Sequence, residues 1–251
     1  MLRPCKPRVF GALLLALAAA RPAQAGAPFQ TDDPGVVALG HSEIIAFYQQ
    51  TLSAVGRSGV LPALEFHYGP ARSLELDVAV GLAFAIPPGE DVRRGYGDTM
   101  LGVKYAFLDE TDTRPAVGFV PKLALATGNA DRGLGNGGYA LFLPIWLQKK
   151  WGNLQAYGGG GYWLNHGANN RNYSFVGAQA QYTFSEHWVV GAEVFHTTPQ
   201  TLDQRASTGF NAGGFYVIDA HAQWLVSLGK GVQNAAQTNR VSSYLGYQLN
   251  Y

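Results

Sequence analysis

The sequence predicts an all-β protein, a single antiparallel, up-and-down transmembrane β-barrel of about twelve strands. Three observations predict it. The chain opens with an export-type leader and carries no later apolar stretch long enough for a membrane helix. Beyond the leader, runs of alternating polarity about ten residues long recur between turn-rich stretches. The connections between these runs alternate between short and long, the pattern of a barrel with turns at one rim and loops at the other.

The leader is residues 1–25. Arg3, Lys6 and Arg8 form its basic start, and Val9 to Ala20 its apolar run. Ala23-Gln24-Ala25 supplies the small residues that a signal peptidase reads, so cleavage is expected after Ala25. Cys5, the only cysteine, precedes the apolar run, whereas a lipidated cysteine would follow it. The mature chain is then free of thiols, which excludes disulfides and Cys-ligated metals and suits export. Four of the 18 basic residues leave with the leader, so 14 basic residues face 17 acidic ones. That balance argues against nucleic-acid binding.

Residues 26–41 precede the first strand. They read either as a flexible periplasmic tail or as a plug that enters the lumen and sets Asp32 and Asp33 against Lys104 or Lys122. Residues 42–251 form the barrel. Its strands are expected at Glu43–Ser53, Val60–Tyr68, Leu74–Phe84, Thr99–Phe107, Ala116–Ala126, Tyr139–Lys149, Leu154–Asn165, Asn172–Phe184, Trp188–Thr197, Gly209–Val217, His221–Leu228 and Val241–Tyr251. Ten or fourteen strands are the alternatives. The first hairpin is expected around Gly56-Arg57-Ser58, and Pro87 to Gly97 reads as a loop. A soluble sandwich would alternate in the same way. The leader, the thiol-free chain, the strand length and a set of aromatics at the inferred periplasmic ends favour the barrel. These aromatics are Tyr68, Phe107, Trp151, Phe184, Trp188, Tyr216 and Tyr251.

Alternation also assigns faces. Leu74, Leu76, Val78 and Val80 oppose Glu75 and Asp77. Leu101, Val103, Tyr105 and Phe107 oppose Met100, Gly102 and Lys104. Charge on the lipid face at mid-depth costs roughly 2–4 kcal/mol, so Glu65, Glu75, Asp77, Lys104, Lys122 and Glu193 belong in the lumen. There they either line a polar path or pair across a narrow bore and hold it shut. The glycines at 158–161 allow curvature or leave room for Trp163 or an inserted segment. Gly133, Gly135 and Gly138 match a dinucleotide fingerprint by spacing, but no βαβ unit surrounds them, so they read as a mobile loop. At the end of the chain, Tyr244, Gly246, Leu249 and Tyr251 have the spacing of the C-terminal strand signal that assembly factors recognise by edge pairing.

Several segments together resemble one family. They are Thr31 to Pro34, the run Gly95 to Tyr105 (GYGDTMLGVKY), Gly133 to Gly137 with Phe142 to Leu147, Tyr157 to Asn165, Gly191 to His196, and Ser207 to Asn211. They are similar to the outer-membrane β-barrel proteins grouped as the MetA-pathway phenol-degradation or transporter family. The resemblance spans nearly the whole mature chain and implies passage of small, hydrophobic or aromatic, molecules. It carries over no catalytic or binding residues.

The expected function is therefore passive passage of small molecules through the outer membrane of a Gram-negative bacterium. The expected partners are outer-membrane lipid and lipopolysaccharide, the barrel-assembly machinery and small-molecule cargo, and no cofactor is expected. A non-conducting structural or surface-interaction barrel is the alternative. A barrel hydrolase ranks lower: His166, Asn169 and Ser174 share one loop region but form no tight catalytic motif, and the scattered histidines have no metal-ligand spacing.

Overall fold

The computed structural model describes residues 26–251, so the expected leader lies outside the described residues. The strands are β1 (Ser42–Ser53), β2 (Gly56–Ala71), β3 (Leu74–Ile86), β4 (Arg93–Tyr96), β5 (Thr99–Leu108), β6 (Ala116–Phe119), β7 (Lys122–Leu125), β8 (Ala140–Trp151), β9 (Leu154–Asn165), β10 (Tyr173–Thr183), β11 (Trp188–Thr197), β12 (Ser207–Val217), β13 (Ala222–Gln233) and β14 (Val241–Asn250). They build twelve staves, because β4 with β5 forms one and β6 with β7 another. Each stave pairs antiparallel with its sequence neighbour, and β1 closes on β14 from Glu43↔Asn250 to Leu52↔Val241. The circuit of staves is closed, so the wall's backbone finds its partners within it, and β4, at the long-loop rim, pairs on its β3 side.

The departures from the expected strands have local causes. Pro121 has no N–H to give, and it divides the stave expected at Ala116–Ala126 into β6 and β7. The wall stays tied there, because Val103 N–H donates to Pro121 O at 3.0 Å. Similarly, β2 slips register between Val60 and Ala63, around Pro62. Part of the expected loop Pro87 to Gly97 is strand: β4 pairs with Leu82–Ala85, the end of β3 that extends beyond β5. The first hairpin turns at Ala54 and Val55, earlier than expected, with Gly56 at φ 115° directly after it. A side chain at that angle would be strained.

Ser42 and Tyr251 exchange backbone hydrogen bonds of 3.1 and 2.9 Å, so both ends of the barrel sequence meet at one rim. The short turns, at 72–73, 109–115, 152–153, 184–187 and 218–221, share that rim. Its exposed aromatics include Phe107, Trp151, Phe184, Trp188 and Tyr251. Above it the outer wall is apolar, with Val103, Ile145, Val176, Val194, Val226 and Leu245 all pointing outward and exposed. An apolar exterior around a hydrogen-bonded wall is the surface that lipid requires.

The inner face is not uniformly polar. Val120, Phe142, Trp146, Phe175 and Phe195 cluster on one side, with Trp163 packed against them. Ile45, Phe215, Leu225 and Tyr244 form a second cluster. Gly159 leaves room for Trp146, not for Trp163, since a Cβ there would come within 2.9 Å of the Trp146 ring. The Gly133–Gly138 loop is tied down: the Asp98 carboxylate accepts from Gly128 N–H at 2.9 Å and from Asn136 N–H at 2.6 Å.

Candidate functional site

The lumen is crossed by the segment that precedes β1. Thr31, Asp33 and Pro34 are fully buried, and Phe29 and Val37 nearly so. Room for this chain comes from the wall. A Cβ on Gly118 would lie 2.8 Å from the Pro34 Cβ, and one on Gly177 would overlap Thr31. Only glycine lets the backbone of the segment pass so close to the strands.

Polar groups fasten the segment from several sides. On β11, the Glu193 carboxylate accepts from Gln30 N–H at 2.8 Å and Thr31 N–H at 2.7 Å, and Asn211 Nδ2 donates to it at 2.5 Å. Ser227 on β13 donates to Pro28 O at 2.6 Å. From β3, Glu75 accepts from Val37 N–H at 2.6 Å. Lys104 Nζ donates to Asp32 Oδ1 at 3.1 Å and Lys122 Nζ to Asp32 Oδ2 at 2.8 Å. Lys104 also lies 3.8 Å from Asp33 and 4.0 Å from Glu75. These are charge-assisted contacts among largely buried groups, and such bonds are stronger than neutral ones. Burial alone would raise the pKa of Asp32. The fields of Lys104 and Lys122, with hydrogen bonds from Lys122 and Asp33 N–H, outweigh it and hold the carboxyl well below the usual range.

Four of the six charged residues assigned to the lumen by alternation, Glu75, Lys104, Lys122 and Glu193, thus contact the N-terminal segment. Glu65 and Asp77 do not. They meet at His67, whose Nδ1 lies 2.8 Å from Asp77 Oδ1 and 3.2 Å from Glu75 Oε1, and whose Nε2 lies 3.8 Å from Glu65. His67, Glu75 and Asp77 bring ligand-type atoms within 4.8 Å of one another, which the linear spacing of the histidines does not reveal. Nδ1 is committed to both carboxylates and Lys104 stands beside Glu75, so the group acts as a charge network. The signal for His67 was present: it shares a face with Glu65 and pairs across the hairpin with Asp77.

Between the segment and the wall of β1–β3 and β14 lies a cavity of about 220 Å³. Phe47, Glu65, Asp77 and Tyr244 are among its lining residues. Of the final-strand motif, Tyr244 points inward, with its ring stacked 5.3 Å from Phe47, and Gly246 is buried beside it. Leu249 pairs with Ile44, and Tyr251 is exposed at the rim. Away from the lumen, His166 stacks on Tyr139 at 4.2 Å, and Ser174 N–H donates to Thr198 Oγ1.

Comparison with known proteins bears on the fold. The family described as MetA-pathway of phenol degradation matches residues 42–248. The COG4313 outer membrane channel from Pseudomonas putida F1 is similar in structure, with a TM-score of 0.70 at 16% identity, over 87% of this chain and 98% of that one. The KdgM porin in complex with disordered oligogalacturonate gives 0.58 at 11% identity, over 83% and 99%. The NanC porin gives 0.56 at 9% identity, over 84% and 98%. No curated protein matches the sequence. At these identities the structural likeness establishes the barrel fold.

Proposed function

Because this chain belongs to the MetA-pathway of phenol degradation family, we propose that it is an outer-membrane channel for passive passage of small molecules, its bore set by the N-terminal segment. One observation carries this reading. A closed barrel is crossed by residues 26–41; inside the bore the segment is held by side chains, and its backbone joins the wall at the rim, where Gly40 and His41 bond to Gly69 of β2. Side-chain anchors can release without breaking a stave, so the segment can yield while the wall stays intact.

The inner surface fits cargo of one-ring size. Phe142 stacks on Trp163 at 4.7 Å and Phe175 on Phe195 at 6.2 Å, which makes an apolar, aromatic flank beside the segment. A cavity of roughly 150 Å³ holds a benzene, and the 220 Å³ cavity bordered by Phe47 and Tyr244, apart from this flank, exceeds that. Movement is downhill; no nucleotide-binding element is needed. The family's name and the aromatic flank both favour small aromatic or hydrophobic molecules. The export-type leader and the final strand favour delivery to the outer membrane through the barrel-assembly machinery, with lipid and lipopolysaccharide around the wall.

The test compares the full mature chain with a variant lacking Gly26–Gly40 in planar bilayers. The full chain is expected to conduct weakly and the deletion variant steadily. Uptake of phenol against a sugar in proteoliposomes then ranks hydrophobic against polar cargo. Identical, silent traces from both proteins, with no uptake, would favour a non-conducting structural barrel.

A further inference from the structure

Six carboxylates line the cavity between the N-terminal segment and the wall: Asp32, Asp33, Glu43, Glu65, Glu75 and Asp77. The basic groups there are Lys104, Lys122 and His67, which leaves a formal charge of −3 even with His67 protonated. Both lysines are turned toward Asp32, on the segment side. The carboxylates of Glu65 and Asp77 lie on β2 and β3, on the wall side, with Glu65 one-quarter exposed. A low-dielectric recess lined by one sign of charge concentrates counter-ions.

A second, independent feature lies in the same cavity. The Tyr244 side chain is 8% exposed, and its hydroxyl has no hydrogen-bond partner among the described residues. A buried hydroxyl left unpaired costs about 1–3 kcal/mol, so a guest whose N–H donates to its oxygen is favoured. The ring beneath it is stacked on Phe47, and both border the cavity. Aromatic faces beside carboxylates are a surface for a cation with an apolar body, through the ring quadrupole and the anionic field together.

We infer that this cavity selects small organic cations, a primary ammonium on a one-ring or short alkyl body, over anions of the same size. The inference rests on the channel reading and narrows its cargo. An anion would meet the excess negative charge. A neutral phenol would use the aromatic faces but would leave Glu65 and Asp77 without added counter-charge.

The probe is a gradient of phenethylammonium benzenesulfonate at pH 6 across a planar bilayer holding the full mature chain. Both ions carry one ring and both are charged at that pH. The reversal potential is expected to show the cation preferred by on the order of tenfold. Glu65→Gln is expected to lower the preference severalfold, and Tyr244→Phe to weaken block by the ammonium without changing the ratio of ion permeabilities. Heat-dependent electrophoretic mobility checks that each variant is folded. Current with a reversal potential at zero, or with benzenesulfonate preferred, would overturn the inference and leave the channel intact. No current from either the full chain or the variant lacking Gly26–Gly40 would instead remove the channel reading, and this inference with it.

Discussion

Asp32 is the residue on which the N-terminal segment turns. It faces two ammonium groups at once, and Lys104 beside it is 8% exposed. Asp32→Asn leaves those two charges without their shared partner. Removing one member of a buried pair costs about 3–5 kcal/mol, and the lower end applies here because Lys122 is 31% exposed. The variant is expected to conduct for a larger share of the time in single-channel recordings. The pH dependence follows from the direction of the Asp32 shift. Its pKa is lower in the folded state than the ordinary carboxylate value of about 3.9. The anchor is therefore fully present above that value and is lost only as pH falls through the depressed one. Between pH 8 and 5, conductance is expected to show no titration that Asp32→Asn abolishes; a step in that range that disappears in the variant would contradict the assignment. Gly118 makes a complementary case by sterics. Gly118→Ala places a Cβ 2.8 Å from Pro34 Cβ, and such overpacking costs about 1–3 kcal/mol. The strand can keep its shape, so the segment is the part expected to give way, and conductance should rise without loss of folded barrel.

At the scale of elements, what alternation could reveal depended on the chemistry of both faces. On β3 and β5 one face is apolar and the other holds Glu75, Asp77 and Lys104, so period two assigns inside and outside directly. On β8 it cannot. Leu143, Ile145 and Leu147 face out while Phe142, Pro144 and Trp146 face in, and both sets are apolar. The aromatic flank of the lumen was hidden for that reason. Likewise, inner-face charges can be read strand by strand, but which of them meet depends on stagger between staves, so alternation marks the carboxylates around His67 without marking that they meet at it. The course of the N-terminal segment has no periodic signal at all; its trace is the set of wall glycines, which a sequence offers equally as bends. A covalent lock tests that course. The built Cβ of Gly177 lies 3.3 Å from Thr31 Cβ, close to the separation a disulfide spans. The sequence's one cysteine, Cys5, lies in the expected leader, so in protein prepared from Gly26 onward Thr31→Cys with Gly177→Cys is the one pair within a chain. Oxidised protein is expected to stay in its weakly conducting state, and reductant to release it. Conductance unaffected by oxidation, with the bond verified by mass, would place the gate elsewhere.

For the whole molecule, the decisive distinction is between the forces that close the barrel and those that hold the segment inside it. Twelve staves pair around a complete circuit, from β1 through β14, and of residues 26–41 only Gly40 and His41 bond to a stave's backbone, at Gly69 of β2. The short-turn rim adds its own closure, where Ser42 and Tyr251 bond across the seam. In lipid, an unpaired backbone group costs several kcal/mol, so this circuit dominates the stability of the fold. The segment contributes differently. Its loss uncovers Glu193, Lys104 and Lys122, but in an opened lumen water reaches them and repays much of the desolvation. The variant lacking Gly26–Gly40 is therefore expected to insert, to keep its β circular dichroism and to run as a heat-modifiable band, with a modestly lower denaturant midpoint. Failure of this variant to fold in detergent or lipid would mean that the segment is part of the barrel's core and not a separable occupant. Folding together with steady conductance would locate the restriction in those fifteen or so residues and leave the wall as a stable frame around them.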